Sequence, residues 1–578
     1  MLLLTRIQRL RIKLVEAARL TDAQTILLWA ALAGLVGALA TMAFRESIRG
    51  LQWLVTGQSG SLVEMAKSMP WYLRLAFPAI GGVIAGAFLE WARRGSRGRS
   101  NSDYMEAISI GDGRIDVRES VARSVSSLFS VTSGGSIGRE GSMVQLAATC
   151  ASILGRLAHF NPGRLRLLVA CGAAAGITSA YNAPIAGALF VAEIVVGSIA
   201  MESFGPLLVA SVVANITMRE FAGYQPVYEM PPFPGVPGGE MALFIGLGVV
   251  AGVLATQFLR VLALAKRAFA RIHGPLPLRL GIGGLIVGVL SIRVPEVWGN
   301  GYSVVNSLLH TPWPWTMLLL TLVFKIVATA STTGSGAIGG VFTPTLFVGA
   351  VLGNLYGLAM HAIVPSMATS QPFAYAIVGM GAFLAAAAQA PLMAILMIFE
   401  MTLSYQVVLP LMLAVVAAYV AARSGSGNSM YAVTRRNNAT ERMWTMWHGL
   451  RIKDLVKPAA PVLPLTASLD DVAKAFLEHP VKFVYFVDAD NRFSGIVSLQ
   501  QLKPYMLQQG SSPPPPLSSL MQQQFPRLTP DMPLGDALQK FLTHPGERLP
   551  VVESLDVQHL LGVVSKTDLL LRIQEIAH

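Results

Sequence analysis

One carboxylate in a glycine-rich stretch is the group of this chain best suited to chemistry. Residues 134–141 read Gly-Gly-Ser-Ile-Gly-Arg-Glu-Gly, so Glu140 follows a flexible turn and precedes an apolar run. Glycines let backbone N–H groups approach a ligand, and a helix that begins near Glu140 adds its own N-terminal N–H groups, which attract anions. The carboxylate would compete with a mobile anion for this site. We expect Glu140 to act as a gate that opens on protonation or rotation; an ordinary helix cap is the alternative.

A second glycine-rich stretch offers further N–H groups. Residues 339–344 read Gly-Gly-Val-Phe-Thr-Pro. Proline is favoured in the first turn of a helix, where N–H groups lack intrahelical acceptors. The N–H groups of Val341 and Phe342 are therefore candidates to bind an anion, and an ordinary membrane-helix entry is the alternative.

Both stretches lie among segments that predict a membrane protein. The chain has 578 residues, of which 53% are hydrophobic and 13% charged, too few charges for a soluble surface. A hydrocarbon core of ~30 Å takes ~20 helical residues to cross. Apolar runs of about this length or longer, free of charge, are found at 26–43, 241–259 and 373–399.

The whole chain has a net charge of +12, and its basic surplus lies in this apolar part, since the first 440 residues carry 31 basic and 18 acidic side chains. Such a surplus attracts anions or contacts anionic lipid. No basic face with aromatic residues indicates nucleic-acid binding. The basic segment 1–24 shows no signal-peptide cleavage site, and the positive-inside rule predicts that it is cytoplasmic.

The apolar part is internally repeated. Two pairs of stretches match in the same order, 183–185 with 390–392 and 135–138 with 336–339. Glu193 and Glu400 follow the first pair at an offset of 207, which indicates a structural role for both. Pro184 and Pro391 predict short helices that begin inside apolar runs. Duplicated halves with broken helices are typical of transporters, whose sites lie where the halves meet.

Three motifs together resemble the CLC chloride channel and transporter family, in its bacterial ClcB-type branch. They are Gly-Arg-Glu-Gly at 138–141, Gly-Val-Phe-Thr-Pro at 340–344 and Asn-Ala-Pro at 182–184. The resemblance covers most of residues 25–435. It implies a polytopic α-helical fold of broken, tilted helices in two inverted halves, assembled as a homodimer in the membrane lipid with one chloride pathway in each subunit.

The resemblance also implies roles for individual residues. Glu140 corresponds to the gating glutamate. The residues implied to bind the anion are Ser102, Val341, Phe342 and Tyr431, and those implied to support the gate are Arg123, Gly138, Arg139 and Gly141. Ser102 stands in Asn-Ser-Asp-Tyr-Met-Glu, where the family has Gly-Ser-Gly-Ile-Pro-Glu. Taken singly, Ser102 is also readable as a cap, Tyr431 as an interfacial aromatic and Arg123 as a snorkelling cation.

One departure from the family bears on the mechanism. Family antiporters carry an inner glutamate for protons just after the position of Glu193, and here Ile194 stands there. We therefore expect channel-like transport of chloride-like anions, with chloride/proton antiport as the alternative. A CBS-regulated divalent-cation transporter would need more carboxylates in the spans, and a nucleotide-sensing signalling protein would not need the repeat. No metal-ligand spacing, nucleophile elbow or catalytic triad indicates an enzyme.

The tail contains a second repeat, of α/β type. Residues 469–480 match 534–545, and each copy ends in Gly-aliphatic-Val-Ser. The tail resembles a pair of CBS domains, which often bind adenine nucleotides. The resemblance implies that Thr567 and Asp568 would contact a ribose, whereas the first copy has Gln501 in place of the aspartate. A purely structural or dimerising tail is the alternative.

We thus predict five segments and a location. The segments are a basic N-terminal segment at 1–24, a transmembrane anion-pathway domain at 25–440, CBS repeats at 446–507 and 517–578, and a Pro/Ser linker at 508–516. The expected location is a bacterial inner membrane, crossed several times, with both termini in the cytoplasm. The expected cargo is chloride or a similar anion, with protons as possible partners.

Overall fold

The computed structural model divides into two compact units, Met1–Arg435 and Arg436–His578. The residues that it describes are 22–57, 60–94, 103–197, 199, 201–223, 228–367, 369–425, 429–431, 451–479, 481–507, 516–544, 546–554 and 556–577.

The described part of the first unit is helical. In chain order its helices are α1 Asp22–Thr56, α2 Leu62–Ser68, α3 Trp71–Arg94, α4 Tyr104–Ser109, α5 Val117–Thr132, α6 Glu140–Leu157, α7 Pro162–Tyr181, α8 Pro184–Leu189, α9 Met201–Ala222, α10 Met241–Ala270, α11 Leu276–Arg293, α12 Tyr302–His310, α13 Trp315–Ser335, α14 Phe342–Ile363, α15 Pro372–Ala388, α16 Pro391–Thr402 and α17 Val408–Gly425. Within the described residues, eight helices are long and apolar enough to span a membrane: α1, α3, α9, α10, α11, α13, α14 and α17.

The predicted broken helices are present in both halves. Helix α7 is followed by the C-cap residue Asn182 and α15 by the C-cap residue Gln389, both in the left-handed conformation. In each case the next helix begins two residues later with proline, which disfavours helical geometry in the residue before it. Helix α8 then continues into a π-helical segment, Phe190–Val196. The same turn at the same place in each half confirms the predicted repeat.

The two halves are joined by reciprocal carboxylate caps. Glu193, after α8, accepts hydrogen bonds from the N–H groups of Leu392 and Met393 at the start of α16. Glu400, late in α16, accepts from Ile185 and Ala186 at the start of α8.

Each short helix thus begins where the other ends, so α8 and α16 run antiparallel, as the predicted inverted repeat requires. The caps satisfy N–H groups that no intrahelical carbonyl can reach. Leaving such N–H groups without an acceptor is costly in a membrane. The geometry supports the structural role expected of both glutamates.

The second unit contains two small sheets. Its described elements are β1 Val462–Pro464, α18 Leu469–Glu478, β2 Phe483–Val487, β3 Phe493–Ser498, α19 Leu499–Leu507, α20 Leu517–Leu520, α21 Leu534–Thr543, β4 Arg548–Val552, β5 Leu560–Ser565 and α22 Lys566–Ala577. Strand β2 pairs in parallel with β1 and antiparallel with β3, and β4 pairs antiparallel with β5. The repeated helix–strand–strand order confirms the α/β repeat predicted for the tail.

Candidate functional site

Two helix starts, one from each half, meet inside the first unit. The loops before α6 and α14 are joined by two backbone hydrogen bonds, from Gly138 N to Gly340 O at 2.7 Å and from Gly340 N to Gly138 O at 2.8 Å. The contact needs glycine at position 339, since a Cβ there would lie 2.8 Å from the carbonyl oxygen of Gly138. The N-termini of two helices thus direct unsatisfied N–H groups and positive partial charge toward one region.

Glu140 is the first residue of α6, and its carboxylate lies at this junction. The side chain is buried, with 2% of its surface exposed. Its Oε1 accepts a hydrogen bond from the Tyr302 hydroxyl at 2.8 Å and another from the Thr343 hydroxyl. Its Oε2 has no hydrogen-bond partner among the described residues. A Cβ on Gly138 would lie 1.9 Å from Oε2, so the carboxylate folds back over the glycine turn.

A cluster of hydroxyl groups surrounds the carboxylate. Thr343 and Tyr181 share a hydrogen bond of 2.9 Å, and the hydroxyls of Tyr302 and Thr343 are 3.3 Å apart. The Tyr228 ring packs edge-to-face on Tyr302 at 5.3 Å between centroids, and in the described part of the chain its hydroxyl has no partner. Sequence patterns do not predict the three tyrosines of this cluster. Only Thr343, inside the second glycine-rich motif, carried a local signal.

Most of the other expected site residues lie around the same junction. Val341 caps α14 and Phe342 is its first residue, as the motif predicted. Tyr431 packs edge-to-face on Phe190 at 5.5 Å, and Phe190 in turn packs on Phe342 at 6.3 Å. Tyr431 is therefore connected to the start of α14 through one aromatic ring. Ser102 lies outside the described residues.

The two arginines differ in position. Arg139 is the N-cap of α6, and its guanidinium lies 5.8 Å from the centroid of the Tyr302 ring. It therefore adds positive charge beside the Glu140 carboxylate. Arg123 is half-buried on α5 and makes an interaction of its own. Ile194 is fully buried in the π-helical segment, so this position presents an apolar side chain.

The second unit contains a polar site at the end of its second repeat. Ser565 Oγ donates to Asp568 at 2.7 Å, and Lys457 Nζ donates to the same carboxylate at 2.8 Å. The hydrogen bond from Lys457 holds the pKa of Asp568 below its usual range. Thr567 is exposed beside it. In the first repeat the Ser498 hydroxyl donates to the Gln501 amide oxygen at 2.7 Å, so an uncharged group takes the equivalent place.

A cavity of about 130 Å³ opens between the two repeats of this unit. It combines basic, acidic and aromatic side chains. Burial raises the pKa of Tyr485, in its wall, to about 12, so this phenol remains neutral at physiological pH. The lining residues are Ala460, Val481, Lys482, Phe483, Tyr485, Glu547 and Arg548.

Comparison with protein families gives two matches that together cover both units. Residues 81–423 match the voltage gated chloride channel family. Residues 452–507 and 517–575 match the CBS domain.

Individual relatives agree with these matches. The chain is 57% identical over 418 residues to a putative chloride channel protein ClcB-like of Ralstonia nicotianae, covering 72% of this chain and 97% of that protein. It is 40% identical over 410 residues to the voltage-gated ClC-type chloride channel ClcB of Citrobacter koseri, covering 70% and 97%. Among solved structures, it resembles a slow cyanobacterial Cl⁻/H⁺ antiporter with a TM-score of 0.62 and 27% identity, covering 73% of this chain and 100% of that one.

Proposed function

The chain belongs to the voltage-gated chloride channel family, and from this premise we propose that it exchanges chloride-like anions for protons across a bacterial inner membrane. Glu140 is both the gate and the proton carrier. The supporting observation is the position of its carboxylate, buried where the starts of α6 and α14 meet.

The Glu140 carboxylate and a mobile anion compete for one set of hydrogen-bond donors. An ionised Glu140 takes the Tyr302 and Thr343 hydroxyls and lies in the positive field of two helix starts. A mobile anion needs the same donors and the same field. Protonation removes the charge that holds the carboxylate there, so the site becomes free for the anion. Anion entry is thereby coupled to proton uptake at one side chain.

The choice of exchange over a channel rests on the comparisons. The solved structure at 27% identity is titled a Cl⁻/H⁺ antiporter. It supports antiport, the alternative left open by the sequence, over the channel-like transport that Ile194 favoured. During anion/proton exchange, water carries the protons between Glu140 and the inner solution, because position 194 has no carboxylate.

A passive channel is the second candidate, because the buried Ile194 offers no proton acceptor and the curated relatives are named channels. Antiport and channel are distinguished by recording chloride efflux and external pH together in vesicles that contain the purified protein. Antiport predicts proton uptake that follows chloride efflux and a reversal potential that changes with the pH gradient. Chloride efflux without proton movement would establish the channel. No flux of chloride or nitrate would contradict anion transport altogether.

We also propose that the tail is cytoplasmic and binds an adenine nucleotide. The support is the match to two CBS domains together with Asp568, Thr567 and the neighbouring cavity. A homodimer with one pathway in each subunit is the proposed assembly. Its test is the mass of the purified protein in detergent.

A further inference from the structure

Lys325 is a fully buried cation that the proposed gate does not use. It lies on α13 with 0% of its surface exposed. Its Nζ donates to the carbonyl oxygens of Val297 at 3.1 Å and Gly299 at 2.8 Å, and it lies 4.9 Å from the centroid of the Phe347 ring. No carboxylate within the described residues forms an ion pair with it. Because a buried charge without a counter-ion is costly, an intramembrane lysine of this kind indicates a function.

The two carbonyls belong to the loop that ends at the gate. Residues 297–301 lead directly into α12, whose first residue, Tyr302, donates to Glu140. Gly301 has φ +89°, and a Cβ there would lie 2.4 Å from the Phe347 ring. The N–H of Gly299 also donates to the carbonyl of Gly134, in the turn before Glu140, at 3.4 Å. The loop is therefore held between α13, α14 and the glycine turn before Glu140.

The position of Lys325 follows the internal repeat. It precedes Phe342, the start of α14, by seventeen residues, the same spacing that separates Arg123 from Glu140, the start of α6. Each half thus places a basic residue on the helix before its site helix. In the second half, the observed contacts of this cation are with the loop that carries Tyr302.

We propose that Lys325 is a positioning residue for the gate. Its ammonium fixes the carbonyls of Val297 and Gly299, and the fixed loop brings the Tyr302 hydroxyl within reach of Glu140 Oε1. The proposal rests on the proposed gating role of Glu140. A lysine suits the task because its compact ammonium offers three donors, and a ring face next to the two carbonyls accommodates its charge.

The test compares Lys325→Met, Lys325→Arg, Tyr302→Phe and the double variant Lys325→Met/Tyr302→Phe in vesicles, measuring anion efflux against pH. Methionine keeps the unbranched, apolar stem and removes the donors. Loss of the Tyr302 hydrogen bond destabilises the ionised carboxylate, so half-maximal efflux should occur at about tenfold lower proton concentration. Lys325→Met should give the same shift, and the double variant no further shift. Lys325→Arg keeps a positive charge and donors, so it should shift the profile less than Lys325→Met does.

Two controls keep the result interpretable. Lys266→Met removes an exposed positive charge and should leave the pH profile unchanged. If Lys325→Met does not fold, Lys325→Gln, which keeps an amide donor, replaces it in the same measurements and should show a smaller shift in the same direction.

Each outcome has one meaning. An unchanged profile in the folded Lys325 variant, beside a shifted Tyr302→Phe profile, would overturn the positioning role. Additive shifts in the double variant would also overturn it, since Lys325 would then act by its charge and not through Tyr302. If Glu140→Gln keeps the wild-type pH dependence, the proposed gate itself is wrong. That result is distinct from a failure of Lys325 alone.

Discussion

The hydroxyl of Tyr302 donates a 2.8 Å hydrogen bond to the carboxylate of Glu140, although the two residues are 162 positions apart in the chain. Glu140 starts a helix of the first half, and Tyr302 starts a helix just before the second repeated segment. The position of the carboxylate is therefore fixed by contacts between two distant parts of the chain. This relationship makes the proposed gate sensitive to substitutions in either segment.

Tyr302→Phe should shift the pH dependence of anion efflux. The ionised carboxylate loses one donor, worth about 1–2 kcal/mol for a charged acceptor, so half-maximal efflux should move about one pH unit higher. Efflux from vesicles across a pH series measures this. Tyr228→Phe is the matched control, because the Tyr228 hydroxyl has no partner among the described residues, and it should leave the profile unchanged. Equal profiles for both variants would contradict the role of Tyr302.

Glu140→Gln and Glu140→Ala should raise anion efflux or remove its dependence on pH, and both should abolish proton movement. Neither variant retains a carboxylate at the junction of α6 and α14. The measurement is chloride efflux with simultaneous proton recording. Glu64→Gln, at an exposed glutamate, is the control and should behave as the wild type. Efflux that keeps the same pH dependence in both Glu140 variants would reject the gate.

Gly138→Ala should displace the carboxylate without removing it. The added Cβ would lie 1.9 Å from Glu140 Oε2, a distance that no Cβ tolerates, so the side chain must move away. Efflux at neutral pH should approach that of Glu140→Ala. Gly50→Ala, where nothing lies within 4 Å of an added Cβ, tests for a general effect of alanine. Wild-type efflux in folded Gly138→Ala would show that the carboxylate does not block the path.

Glu193→Gln and Glu400→Gln should each lower stability by a similar amount. Each substitution weakens a carboxylate cap on two N–H groups in the other half. A helix cap contributes about 1–2 kcal/mol, so the midpoint of thermal aggregation in detergent should fall by a few degrees. Glu202→Gln, at an exposed position, should not change it. A loss confined to one of the two caps would contradict their equivalence.

Adenine nucleotide binding to the tail should depend on one repeat only. Asp568→Asn should weaken binding of ATP to the full-length protein by about tenfold, which corresponds to about 1.4 kcal/mol. Gln501→Ala should have no effect. Because Lys457 holds the pKa of Asp568 below its usual range, the carboxylate stays ionised as the pH falls. The difference of about tenfold between the wild type and Asp568→Asn should therefore persist from about pH 7.5 to 5, near and above the ordinary aspartate pKa. Isothermal calorimetry measures each case, and equal effects at Asp568 and Gln501 would contradict the assignment.

The sequence was informative where the signal is local. Proline after a short break predicts a new helix, so the starts of α8 and α16 followed from Pro184 and Pro391. Glycine turns before Glu140 and Phe342 predicted two helix starts with free N–H groups. Gln501 stood out as the odd member of the tail repeat by direct alignment of its two copies.

The remaining features depend on contacts between distant segments. Nothing next to Tyr302 or Tyr181 in the sequence indicates that either belongs to the cluster around Glu140. Lys325 lies in an apolar run, where a lysine is equally typical of a side chain that reaches the membrane surface. Ile194 favoured a channel, because a missing carboxylate is visible in sequence, whereas a water path for protons is not.

The reciprocal caps of Glu193 and Glu400 have a consequence for the origin and assembly of the fold. A chain that held either half alone would insert a short helix whose first N–H groups lack an acceptor, and a carboxylate with no helix to receive it. Two such chains in opposite orientations would satisfy each other. An ancestral half-length protein would therefore gain both caps only as an antiparallel pair. In the present chain, the N–H groups of Ile185 and Ala186 lack their carboxylate acceptor until α16 has entered the membrane.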